Sequence, residues 1–200
     1  MRTATRWENM DGAVFGAIVG MVSLSFVVLA TPLAQVSAAA VPRCSLRQLA
    51  ITANGQVGAG GTDGGVLTYR NTSRHACSLT GYPNVVARGP KGSAVRAVHV
   101  FSGMLGGWDW SGLPPKPKPP VVVLSGTKGF ASDWFQFSEN GPAGYRLFRA
   151  NTLEVSLVGS KAFVRVRGTV DAAEGKMWVT PFVPGRTGTD EPTTTPSRLG

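Results

Sequence analysis

Asn71-Thr72-Ser73-Arg74-His75-Ala76-Cys77-Ser78-Leu79-Thr80-Gly81-Tyr82-Pro83 is the stretch on which the fold turns. Just before it, Leu67 and Tyr69 alternate with Thr68 and Arg70, the period-two pattern of a half-buried strand. The short polar side chains of Asn71, Thr72 and Ser73 can bond nearby backbone, so they end that strand in a turn. Cys77-Ser78-Leu79 resumes extended structure, and Gly81-Tyr82-Pro83 turns the chain again. The chain holds 2 cysteines, so the partner for Cys77 is Cys44. A bridge between them closes a loop of about 34 residues, worth roughly 3–4 kcal/mol in the chain-entropy account. Zinc is the weaker reading, because no Cys-x-x-Cys or paired-histidine spacing accompanies the thiols.

Outward from that stretch, strand signals dominate, and glycine and proline recur too often for a long helical period. Residues 46–53 read as a strand ending at Asn54-Gly55, and the glycine-rich residues 58–65 read as a hairpin connection. Residues 84–88, 94–101, 121–124 and 130–137 follow as further strands, with Gly89-Pro90-Lys91-Gly92 as a strong turn. Leu153, Val155 and Leu157 alternate with Glu154 and Ser156, and Val164 and Val166 with Arg165 and Arg167; residues 177–182 close the domain. Eight or nine short strands in about 140 residues argue an all-β, antiparallel sandwich rather than a parallel α/β sheet. Residues 185–200, rich in Thr, Pro and Gly, read as a disordered tail.

The amino terminus reads as an export signal. Arg2 and Arg6 precede an apolar run over residues 12–30, then Thr31-Pro32, then small residues at 37–40 that offer cleavage points. An uncleaved membrane anchor through residues 12–30 is the alternative, since about 20 apolar residues span a bilayer. The organisation expected is a signal or anchor over 1–40, a β-sandwich over 43–184 and a tail over 185–200. Export also favours oxidation of the two thiols.

Discounting Arg2, Arg6, Glu8 and Asp11 leaves the formal charge at +9. Such a surface favours anionic partners: an envelope polymer, a membrane surface or another protein. The cations, Arg70, Arg74, Arg88, Lys91, Arg96, Lys128, Arg165 and Arg167 among them, lie on separate segments without a polybasic block. No aromatic-basic signature for nucleic acid accompanies them, so nucleic acid is not expected.

Cys44-Ser45-Leu46, Asn71-Thr72-Ser73, Cys77-Ser78-Leu79-Thr80-Gly81-Tyr82-Pro83, Leu124-Ser125-Gly126-Thr127 and Val179-Thr180-Pro181 together resemble the domain of unknown function 4232 family. The resemblance covers roughly residues 43–184, and the Gly-Tyr-Pro block is its most specific part. Ser125-Gly126 stands where members have Pro-Gly, and the second cysteine pair that many members carry is missing from this chain. The resemblance implies an immunoglobulin-like sandwich in the actinobacterial cell envelope, secreted or lipid-anchored, and it implies no activity. Val41-Pro42-Arg43 ahead of Cys44 is too bulky and charged for lipid attachment.

Candidate binding residues fall in residues 101–120, where strand patterning breaks down. Phe101, Trp108, Trp110, Lys116 and Lys118 lie there among glycines and a proline run. The aromatic rings can offer a platform for sugars, a peptide or a membrane interface, or can fold back onto the core. His75 and His99 are the imidazoles available to an envelope-acting hydrolase or transferase, with Ser73, Ser78 or Ser102 as hydroxyls. No motif brings those groups together, so catalysis is not the expectation. Asp133 shares a face with Phe135 and Phe137, and an outward-facing register is favoured for it because unpaired buried acids are rare. Asp171 and Glu174 flank Ala172-Ala173, read as a solvated loop. No metal or cofactor motif is present, and the Asn71 sequon reads as a strand end rather than a glycan site.

Overall fold

The computed structural model describes residues 40–103, 105, 118–141, 144, 146–173 and 175–189. The signal or anchor over 1–39, Trp108, Trp110, Lys116 and residues 190–200 lie outside the described residues. No helix among the described residues is long and apolar enough to cross a membrane.

The described chain is mostly β-strand: β1 Leu49–Ala59, β2 Thr62–Asn71, β3 Cys77–Leu79, β4 Asn84–Arg88, β5 Ala94–Arg96, β6 Val98–His99, β7 Val122–Leu124, β8 Phe130–Ser138, β9 Leu147–Ser156, β10 Val164–Ala173, β11 Met177–Val179 and β12 Val183–Pro184. Among the described residues they form a sheet ordered β1-β2-β8-β11-β6 with β12 also on β8, a second ordered β10-β9-β4-β5, and the pair β3-β7. Strand pairing is antiparallel except that β6 runs parallel to β11. The stretch from β5 to β6 changes sheets: β5 pairs with β4, Ala97 N–H donates to the Val85 carbonyl, and Val100 N–H donates to that of Val179.

Both larger sheets feed one apolar core. Leu67, Tyr69, Phe135 and Phe137 enter it from the first, and Val85, Ala87, Leu153, Val155, Val166 and Val170 from the second. The alternation read in β2, β9 and β10 is what divides these residues from their outward neighbours. β8 is the exception, buried on both faces. Its outer side is covered where Gly188 N–H donates to Ser132 Oγ at 2.9 Å and Leu105 N–H to Gln136 Oε1 at 3.3 Å. Residues 185–189 thus lie against β8, with the Arg186 guanidinium 3.6 Å from the Phe130 ring centre.

Four local expectations are corrected. Leu46–Gln48 forms a 3₁₀ turn rather than strand, and β1 runs on through Asn54-Gly55, where its register with β2 slips, a bulge rather than an end. The hairpin then closes at Gly60-Gly61, whose φ values of 59° and 81° suit the mirror-image turn that tight hairpins use. Ala172 and Ala173 belong to β10 and are fully buried, so the small residues are there to pack and not to make a loop. Asp133 faces inward with no exposed surface, because it stands opposite the core residue Leu67 in register and shares its phase on β8 with Phe135 and Phe137.

Candidate functional site

The sequence motifs converge at one end of β3 and β7. Asn71 is fully buried, and its Nδ2 donates to the His75 carbonyl at 2.8 Å and the Leu124 carbonyl at 3.3 Å. Its Oδ1 accepts from Ser73 N–H at 2.9 Å, the closed turn its residue type favours. A Cβ on Gly126 would sit 2.2 Å from the Arg74 carbonyl oxygen, so only a glycine allows the 125–127 turn to lie against the 73–75 turn. Cys77, paired with Leu124 in register, is bridged to Cys44 with a Cα–Cα distance of 4.8 Å. Thr180 Oγ1 accepts from Trp134 N–H at 2.9 Å, and Phe182 N–H donates to the Gly81 carbonyl at 3.1 Å. These residues hold the fold. Asn71 has no exposed surface, which removes it as a glycan acceptor.

His75 and His99 are not brought to a common place with a carboxylate. His75 lies in the exposed turn after Asn71, while His99 stacks on Tyr82 with ring centres 4.6 Å apart and planes 5° from parallel. Among the described residues neither imidazole is ion-paired. Phe101, a candidate binding ring for which folding back was the alternative, is buried, while Lys118 is exposed. Asp133 is held protonated well above the ordinary carboxyl range, chiefly by burial. The neighbouring Tyr69 hydroxyl is within electrostatic reach without an aligned hydrogen bond.

The arginines scattered along the sequence do converge. Strand register sets Arg165, Glu154, Val86 and Arg96 in one row across β10, β9, β4 and β5, and Arg167, Thr152 and Arg88 in the next. Val85, Ala87, Leu153, Val155 and Val166 point into the core, so alternation sends these arginines to the outer face. There Arg88 Nε donates to Glu154 Oε2 at 2.7 Å and Arg165 Nη2 to Glu154 Oε1 at 3.1 Å. Glu154 is 6% exposed, and the hydrogen bond from Arg88 leads the interactions that hold its carboxylate below its ordinary pKa. Arg149 Nε lies 3.6 Å from Asp171 Oδ1 and is open to solvent.

These side chains, with the half-exposed Phe163, line a shallow hollow of about 960 Å³. A neighbouring hollow of about 690 Å³ shares Asn151, Thr152 and Thr169 with it and is lined further by Asn54 and Arg167. Inspection of single segments misses this face, because the cations meet only through cross-strand register. The usable signal was the outward phase of Arg165 and Arg167 opposite inward Val164 and Val166. Three guanidinium groups lining one hollow, two of them fixed by Glu154, can orient an anion by paired hydrogen bonds.

The chain matches the family model described as a domain of unknown function, DUF4232, over residues 44–182. It belongs to that family. No curated protein and no solved structure matches it. In this DUF4232 chain the matched segment begins at one bridged cysteine and ends at buried Phe182.

Proposed function

We propose that this chain is an exported, non-enzymatic binding module of the cell envelope, built as an immunoglobulin-like β-sandwich, which holds an anionic envelope component on the outer face of β4, β9 and β10. The two main sheets sharing one core are the layers of that sandwich. The Cys44–Cys77 bridge supports an oxidising compartment outside the cytoplasm, and the small residues after the apolar run support a cleaved signal. The observation that carries the binding reading is one open hollow lined by Arg88 and Arg165, both paired with Glu154, and by Arg149 beside Asp171. A carboxylate held ionised by two arginines is a poor proton donor, which favours recognition over acid catalysis at this face.

The test is sedimentation of the purified protein with isolated envelope material over a series of salt concentrations. Arg149→Glu reverses an exposed charge without stripping Glu154 of its partners, so folding is preserved and binding should fall at least about tenfold at low salt. Unchanged binding by this variant, with loss on joint replacement of Trp108 and Trp110, would move the site to the 101–120 segment and rule out anion capture by the arginine face.

A further inference from the structure

We infer that the occupant of this face is an acidic polysaccharide, a chain of sugar rings whose carboxylate groups are separated by neutral hydroxyls. The inference rests on the anion-binding reading and narrows it to a ligand class.

The charge of the two hollows is mixed. Arg88, Arg149 and Arg165 are accompanied by Glu154 and Asp171 in the first, and Arg167 stands in the second. A polyanion with nothing but charge to offer would meet both carboxylates, each costing repulsion. A ligand with neutral hydroxyls between its charges can set those hydroxyls against the carboxylates and lower that cost. Between the cations lie Asn54, Asn151, Thr152 and Thr169, neutral groups that both donate and accept hydrogen bonds. Hydroxyl-rich rings satisfy such groups, whereas a plain polycarboxylate leaves the donors and acceptors between its charges unmatched.

Phe163 supplies the third element. Its ring is 49% exposed at the rim of the hollow, and the Arg165 guanidinium lies 5.4 Å from its centre. A flat aromatic face beside a cation accepts the apolar face of a sugar while the cation takes the sugar's acid group. Arg88 and Arg165 converge on the two oxygens of Glu154 and so act as one cationic point, with Arg149 and Arg167 as further points along the same lining. The shared lining of Asn151, Thr152 and Thr169 lets one extended chain lie across both hollows.

Three probes distinguish the possibilities by titration calorimetry on the purified protein: polygalacturonate oligomers, polyglutamate of equal charge, and uncharged galactan. The expected result is that polygalacturonate binds at least about tenfold more tightly than either. Phe163→Ala should weaken polygalacturonate binding about threefold to tenfold, the usual worth of an aromatic face, and leave polyglutamate unaffected. Equal affinity for polyglutamate and polygalacturonate would overturn the polysaccharide assignment while leaving the anion-binding reading in place. Equal affinity for galactan would overturn the acidic requirement. Binding to none of the three defeats both readings together.

Discussion

The side-chain amide of Asn71 donates to the main-chain carbonyl of Leu124, 53 positions further along the chain, at 3.3 Å. One buried side chain thereby ties the turn after β2 to the end of β7, beside the bridge that ties Cys44 to Cys77. Replacing it with Asp keeps the shape and the Oδ1 acceptor for Ser73 but removes both N–H donors, leaving an acid facing the carbonyls of His75 and Leu124. Orphaned buried carbonyls cost about 1–3 kcal/mol, so Asn71→Asp should lower the denaturant midpoint accordingly. Thr72→Ala, at an exposed site in the same turn, should cost far less. Equal losses from the two would mean that the amide is not the tie.

The bridge itself should contribute separately. Joint replacement of Cys44 and Cys77 by Ala should reduce unfolding free energy by about 3–4 kcal/mol, since the closed loop restricts the unfolded chain. Combined with Asn71→Asp, the loss should be less than additive, because both constraints hold the same turn in place. Full additivity in denaturant unfolding would show that the two act independently.

How far the sequence discloses this architecture depends on whether the information is local. Strict alternation at Leu153, Val155 and Leu157 marks β9 directly, and the polar run at 71–73 marks the end of β2. Asn54-Gly55 misleads because a bulge uses the same residue types as a turn, and Ala172-Ala173 misleads because small residues suit both tight packing and loops. The arginine face is hidden for a different reason. Arg88 and Arg165 stand 77 positions apart and share Glu154 only through the order β10-β9-β4, which no single segment encodes.

Asp133 makes stability depend on pH in a direction opposite to most carboxylates. Burial holds its carboxyl protonated in the folded protein, while the unfolded chain loses that proton above the ordinary value of 3.8. Its contribution is therefore complete below about pH 4 and is lost as pH rises toward the elevated folded value. Asp133→Asn presents a similar shape that cannot ionise, so the variant should be more stable than the parent at pH 7 and nearly equal at pH 3. Melting temperatures across that range check this. A variant whose pH profile runs parallel to the parent's would mean that Asp133 is ionised in the fold.

Glu154 works with the opposite sign. Arg88 and Arg165 hold its carboxylate below the ordinary value of 4.5, so its contribution is present above that value and is lost as pH falls through the lower folded value. Glu154→Gln should lower the melting temperature at pH 7 and flatten the acid limb of the profile. The same change frees two guanidinium groups from their internal counter-charge. Polygalacturonate should then bind more tightly to the variant, with a steeper dependence on salt, because more of the cationic field is available to the ligand. Weaker binding, at a salt dependence like the parent's, would mean that the carboxylate chiefly aims the two arginines, and its reading as a competing anion would have to be dropped.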